Sequence, residues 1–590
     1  MDNKQWDLTH YYATYEDFKK DLDDFDVFVE ECKKYEGKLS NEKDFVAYFR
    51  LQRQMLERFL RPYIYVHSKM DMDQRNMDSV SDMQNVMYKM SMFDQATAFE
   101  SPELLSLDES YIFGILDKYK EFEPLRYNLT NLLRSKEHEP GLEGKRIMAN
   151  FQQLGNAGNE TFNALSTADA KFNKIMLDGK EVEINHSNWT TLIGKAKTEE
   201  DRKNIFEALF SIYEDTKNTY AAIYNAVLQA DIANAKSKKF DSALEMHLFY
   251  NNIPTSLYHN LIATAHKLAP LAKEYYALRK DVLKLSKYHT YDRFLDLAES
   301  DNKTYTYEDA RELFFESIDK FDDEFKSFAR EVSAEGWVDV YPRPGKRTGA
   351  YSNSVPGVHP AILLNFNGTL DDCFTFAHES GHSIHTMFSE KYQPLETESY
   401  TIFVAEIAST FNEHNLLDYL LNKGTLSKNE KINLIQNAID SIMSTFYRQT
   451  LFAEYEYIAH TKAEKGEPIT SESLSNIMID LYNTYYGLDL NDEVYKKYVW
   501  AYIPHFFHSP YYVYQYATSF SASLAIYEKV KNNEPNAFEN YKEMLKSGGS
   551  DYPINIVKKA GVDFTKLDAI EGVVTRYATL LEELKKALSE

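Results

Sequence analysis

Along most of the chain, apolar positions recur at intervals of three and four, the spacing of amphipathic helices. Glycine and proline are scarce, 21 and 16 in 590 residues, so few breaks interrupt the pattern. The spacing predicts helices over 42–69, with Pro62 as a kink or break, and over 74–99, 108–135 and 146–175. A polar loop over 136–145 carries Pro140, Gly141 and Gly144. Thr198 followed by Asp201 resembles a capping box, starting a helix to about 236. Further helices are predicted over 256–286, 307–333, 400–421, 428–465, from the aromatic segment 502–516 to about 531, and over 564–589.

The pattern switches to β in a few places. Residues 175–184 (IMLDGKEVEI) alternate around Asp178-Gly179, the signature of a hairpin. Residues 337–341 (WVDVY) alternate again, and 350–352 and 362–366 are short and apolar. These last strands precede 371–390, DDCFTFAHESGHSIHTMFSE. A small sheet beside that segment either braces a helix or offers an edge to an extended peptide. The expected class is mainly α, with a small β-sheet next to the 371–390 helix. The character of the chain changes near 195–200. This gives an N-terminal helical part, 1–195, ending in the hairpin, and a second part, 196–590.

Residues 378–382, HESGH, carry the chemistry. On a helix His378 and His382 stack one turn apart on one face, so both imidazoles can reach one metal ion. Glu379 stands beside the first of them, placed to take a proton from metal-activated water. The flanks are apolar, so the helix is buried, and satisfied core histidines are the bland alternative. His385 shares the stripe. A catalytic zinc needs a third protein ligand and an open position. Glu406, a lone carboxylate in the apolar run TIFVAEIAS, is the candidate. Glu413, seven residues on, is either a hydrogen-bond acceptor for a ligand histidine or an ordinary half-exposed acid. Gly381 inside this helix fits a close approach of backbone or substrate.

Composition narrows the partners. The net charge of −25 argues against nucleic acid. Two cysteines, Cys32 and Cys373, exclude a disulfide framework and fit a reducing compartment. No run is apolar enough to span a membrane, and the polar, acidic start lacks a signal pattern, so a cytoplasmic location is expected.

HESGH followed by FVAEIAS resembles the thimet-oligopeptidase (M3) family of zinc metallopeptidases, and more closely its oligoendopeptidase F branch. Supporting stretches are GKRTGAYS (345–352), LLNFNGTLDDCFTFAHE (363–379), IPHFFHSPYYVYQYATS (503–519) and SGGSDYPINIVKKAGVD (547–563). The resemblance implies a two-lobed helical metallopeptidase with a deep substrate channel, and one Zn2+ per chain held by His378, His382 and Glu406, with Glu379 as general base. It implies that internal bonds of short, unstructured peptides are cut, by a monomer or weak homo-oligomer. It places His505 with Tyr512 and Tyr516 at the oxyanion, while Tyr511 and Tyr514 compete for that register and His508 is a second histidine nearby. Gly349, Ala350, Tyr351, Asn365, His385, Tyr511 and Tyr514 are the expected substrate contacts. A strand over 361–366 and the 345–349 loop are expected to hold the peptide backbone. With Glu406 as third ligand, His385 is expected behind the ligands or facing substrate. A zinc carboxypeptidase on a similar scaffold and a non-catalytic peptide-binding protein are the alternatives.

Overall fold

A computed structural model describes residues 4–299 and 303–590 of the chain, and the protein is mainly helical with two small sheets. Most expected helices form. Thr198 caps the helix Glu199–Ser237 by accepting a hydrogen bond from the Asp201 amide. Several expectations change, among them the 307–333 helix, which forms as two, Tyr307–Ser317 and Asp323–Glu331. Pro62 lies inside a continuous helix, Glu42–Met72. The 136–145 loop is shorter than expected, because a helix starts at Gly141 and runs to Asn163. The 108–135 helix is three pieces, with a 3-10 turn around Pro124. The 428–465 helix is interrupted by a π-helical turn, Ile442–Tyr447, where the ladder takes up an extra residue.

Strands β1 (Lys174–Leu177) and β2 (Lys180–Glu183) form the hairpin, turning at Asp178 and Gly179, both at positive φ. The second sheet has three strands: β3 (Val338–Asp339), β4 (Tyr351–Val355) and β5 (Val358–Leu363). β5 is central, parallel to β3 and antiparallel to β4. The strand expected over 361–366 therefore has neighbours on both sides, and β3 and β4 are the edges. Trp6 locks β5 by packing with Ala361 and Leu363 and donating its indole N–H to the Ile362 carbonyl at 2.9 Å.

By compactness the chain forms two units, each assembled from separate segments. The first is Met1–Glu137, Asn302–Gly424 and Ala522–Asp563; the second is His138–Asp301, Thr425–Ser521 and Phe564–Glu590. A boundary at 195/196 thus divides the sequence, while the compact units interleave along it. The first unit holds the three-stranded sheet and the HESGH helix; the second holds the hairpin and the 502–516 segment.

Candidate metal centre

The HESGH helix is Leu370–Tyr392. Thr369 opens it with a complete capping box: its side chain accepts from the Asp372 amide, and Asp372 accepts from the Thr369 amide. The next helix, Ile402–Lys423, crosses it at Gly381, where an added Cβ would lie 2.5 Å from the Ala408 carbonyl oxygen. A side chain at that position would hold the helices apart. Glycine lets them touch, and Glu406 arrives opposite the two histidines.

The three donor atoms form a nearly equilateral triangle. His378 Nε2 and His382 Nε2 are 3.2 Å apart, and Glu406 Oε2 is 3.4 Å from each. Three corners of a tetrahedron with bonds of about 2.0–2.1 Å to its centre are separated by about 3.3 Å. The cluster, two imidazoles and a carboxylate, therefore fits a zinc ion in both spacing and donor chemistry. His378 turns its other nitrogen, Nδ1, to Glu413 Oε1 in a short contact. That bond fixes the ring orientation and leaves Nε2 aimed at the cluster.

Electrostatics point the same way. Burial works against charge on His378, but hydrogen bonds to Glu406 and Glu413 outweigh it and raise its pKa well above the usual histidine value. Burial would raise Glu406, yet its bonds to both histidines hold its carboxyl well below the usual range. The carboxylates favour a cation at this point, a proton or a metal. Glu379 is 5% exposed, burial raises its pKa, and its Oε2 has no hydrogen-bond partner. Cys373 is fully buried, with its thiol pushed up to about 12 by burial, which suits a packed apolar residue rather than a ligand.

The cluster opens into a cleft of about 480 Å³. Tyr351, Ser352, Asn353 and Ser354 of β4 form one wall; His378, Glu379, His382 and Glu406 are also exposed to it.

Family comparison agrees with this geometry. The profile of peptidase family M3 matches residues 192–574, and an Oligopeptidase F profile matches 103–172. The chain belongs to peptidase family M3. Oligopeptidase PepF of Bacillus subtilis is 34% identical over 589 residues, covering 99% of this chain and 87% of that protein. A solved structure from Chlamydophila abortus superposes with a TM-score of 0.88 at 33% identity, covering 99% of this chain and 98% of that one. Oligoendopeptidase-F from Enterococcus faecium does so with a TM-score of 0.77 at 29% identity, covering 97% and 99%. The protein is an M3 peptidase, an enzyme that hydrolyses peptides.

Not every expected substrate contact of the M3 peptidase reaches the cleft. Ala350 and Tyr351 line it. Gly349 and Asn365 do not: Asn365 Nδ2 donates to the carbonyls of Gly349 at 2.7 Å and Arg347 at 2.9 Å, tying down the loop before β4. His385 is 1% exposed and stacked on Tyr400 at 3.7 Å, and Tyr400, not His385, lines the cleft, so of its two expected places His385 does not take the one facing substrate. Burial lowers His385 to about 3, keeping it neutral.

In the second unit His505, Tyr512 and Tyr516 form one half-buried group, with ring centroids 5.5–6.1 Å apart. Tyr511 and Tyr514 are instead core: they are 3% and 2% exposed and both pack on Tyr258. Tyr511 sits at φ 54°, and its amide donates to Glu456 Oε1 at 3.0 Å. His508 is exposed, its ring edge-on to Phe162.

Sequence reasoning missed two acids in the cleft, Glu390 and Glu398. Burial, then the charge of Glu398, raises Glu390 to about 8; burial, then Glu396, raises Glu398 to about 7. A signal for Glu390 exists: it lies eleven residues, three helical turns, beyond Glu379 on the same face.

Proposed function

We propose that this M3 peptidase is a zinc-dependent oligoendopeptidase that cuts internal bonds of short, unstructured peptides. The observation that carries the reading is the donor triangle of His378, His382 and Glu406, with the unpartnered carboxylate of Glu379 beside it in one cleft. A zinc ion bound by the three ligands would supply Lewis acidity, polarising the scissile carbonyl and bringing the pKa of water towards about 7. Glu379 Oε2 accepts the proton of the attacking water and delivers it to the leaving amine. Its raised pKa suits a group that must both take and release a proton. Glu413 holds His378 in the tautomer that presents Nε2.

The edge of β4 gives an extended substrate a row of backbone groups to pair with. Five residues, Tyr351–Val355, at about 3.4 Å each allow pairing over roughly 17 Å. That length suits a short extended segment rather than a folded surface. The sequence resemblance assigns His505, Tyr512 and Tyr516 as donors to the oxyanion, and all three side chains are partly exposed. In sequence, the proposed division remains 1–195 and 196–590. The free, buried cysteines support a cytoplasmic location, and no described helix is long and apolar enough to cross a membrane.

The test is Glu379→Gln. It should retain one zinc per chain by metal analysis and lose about 10²–10⁴ in kcat. End-group analysis of wild-type products should show internal cleavage. Wild-type turnover in the variant refutes the base; release of single C-terminal residues refutes the endopeptidase.

A further inference from the structure

Between His505 and Tyr512 the chain reverses in a tight turn, Ser509-Pro510-Tyr511-Tyr512. The Tyr512 amide donates to the Ser509 carbonyl at 3.2 Å, and Tyr511 sits at φ 54°. A hydrogen bond from the fourth residue to the first, proline in second place and a positive φ in third place together mark a type II turn. Its third place ordinarily belongs to glycine or asparagine, and a bulky tyrosine there is strained. Such strain persists only where the surroundings over-determine it.

The groups that hold Tyr511 lie in the same unit. Glu456, on the helix Arg448–Glu464, is fully buried, and its Oε1 accepts the Tyr511 amide at 3.0 Å. That amide takes no part in the turn's own hydrogen bond, so it is open to an outside acceptor. Glu456 Oε2 has no hydrogen-bond partner. Burial pushes the Glu456 carboxyl well above the usual range, although the Tyr511 amide pulls it down, so the group serves as an uncharged acceptor that needs no counter-ion. The buried Tyr511 ring is held as well. Its centroid lies 4.5 Å from His460 and 5.5 Å from His247, and Asp231 accepts from both histidines, at 3.1 and 2.9 Å. Tyr514, the next tyrosine but one along the helix side of the turn, is buried against Tyr258. Tyr512 alone of the three stays half-buried, its ring within 12° of parallel to His505 at 5.9 Å and 5.5 Å from Tyr516.

We propose that Glu456 is a positioning residue for the peptidase reaction: by accepting the Tyr511 amide it holds the 509–512 turn, and so keeps Tyr512 facing His505 and Tyr516, which rests on the proposed role of Tyr512 as an oxyanion donor. Without the acceptor the buried amide loses its partner and the strained turn loses what pins it. Tyr512 then moves with the turn. A misplacement of about 1 Å in a reacting group can cost roughly 10²-fold in rate. A hydrogen bond made only in the transition state is lost from kcat and leaves KM unchanged.

The experiment compares the full-length, zinc-loaded wild type with Glu456→Met, Glu456→Gln, Tyr512→Phe and the double variant Glu456→Met with Tyr512→Phe, on a short internally quenched peptide. Tyr512→Phe should lower kcat about 10²–10³-fold. Glu456→Met keeps the length of the side chain but offers the amide no oxygen, and it should lower kcat about tenfold or more at unchanged KM. Glu456→Gln presents a carboxamide oxygen in place of Oε1 and should keep a kcat close to wild type. The double variant should be no slower than Tyr512→Phe alone, because Glu456 acts through Tyr512, whereas a general loss of structure would multiply the two effects. If Glu456→Met does not fold by circular dichroism, Glu456→Leu takes its place. Hydrogen exchange on the wild type needs no substitution: the Tyr511 amide should be protected, and exchange at the rate of an open loop overturns the proposal. Wild-type kcat in folded Glu456→Met, or losses that multiply in the double variant, overturns it while leaving Tyr512 as an oxyanion donor. Wild-type kcat in Tyr512→Phe overturns the oxyanion role, and the proposal with it.

Discussion

Replacing Gly381 by alanine puts a methyl group where the backbone of the neighbouring helix runs. The new Cβ would lie 2.5 Å from the Ala408 carbonyl oxygen, 2.6 Å from Ser409 Cα and 2.8 Å from the Ala408 carbonyl carbon. Ordinary contact begins at 3.4 Å, so the shortfall at the tightest point is about 0.9 Å. All three obstacles are main chain, which cannot swing aside as a side chain can. The helices must part, and Glu406 sits only two residues before Ala408. Its Oε2 is now 3.4 Å from each histidine nitrogen. A retreat of that size takes it outside the spacing of about 3.3 Å that a tetrahedral zinc requires. Overpacking of this kind costs about 1–3 kcal/mol. If the metal-loaded form bears all of it, zinc affinity falls roughly 5- to 150-fold. Competition against a chromogenic chelator reads the affinity, and circular dichroism confirms the fold. Gly572→Ala is the control: a helical glycine with nothing within 4 Å of the added Cβ. It should leave zinc untouched and stabilise by up to about 1 kcal/mol. Zinc affinity within twofold of wild type in Gly381→Ala, with unchanged kcat/KM, would refute the argument that this crossing sets the position of Glu406.

Two further outcomes are expected. Glu413→Ala removes the acceptor on His378 Nδ1 and should weaken zinc binding about 10- to 100-fold; unchanged affinity in the chelator assay would exclude the orienting role. Glu390 and Glu398, at about 8 and about 7, hold protons in the folded protein that the unfolded chain, near 4.5, releases. Stability from this pair is therefore greatest at low pH and is lost as pH rises from about 4.5 through about 8. The melting temperature should fall across that window, and Glu390→Gln with Glu398→Gln should flatten the decline; an unaltered slope in the double variant removes these acids as the cause.

The sequence made the metal cluster legible because its two histidines are local. Their spacing on one helix is fixed by backbone geometry alone. Glu406 was legible because a bare carboxylate in an apolar run needs a partner. His385 was left between two places for the opposite reason: helical periodicity put it on the stripe, but only the fold shows Tyr400 lying over it. Tyr511 and Tyr514 were indistinguishable from Tyr512 and Tyr516 by composition. What separates them is the left-handed backbone at Tyr511 and the packing on Tyr258, both non-local. The sheet shows the same limit. Its strands were found as one alternating run and two short segments, yet β5 is central and β3 and β4 are edges, an order that no single strand encodes. The π-helical turn left no mark in the periodicity, since one extra residue in a long apolar pattern is absorbed as scatter.

The interleaving of the two units sets a schedule for biosynthesis. The residues of the metal cluster lie between 378 and 413, but the unit around them includes Ala522–Asp563. Within that last segment Tyr527 donates its hydroxyl to Asp418 on the Glu406 helix, and Gly549 binds the Thr397 carbonyl through its amide. A ribosome-bound chain that has just exposed HESGH and Glu406 therefore still lacks part of the unit that holds them. Synthesis must reach Asp563 before the unit around the centre is whole, which delays assembly of a hydrolytic site well past the making of its ligands.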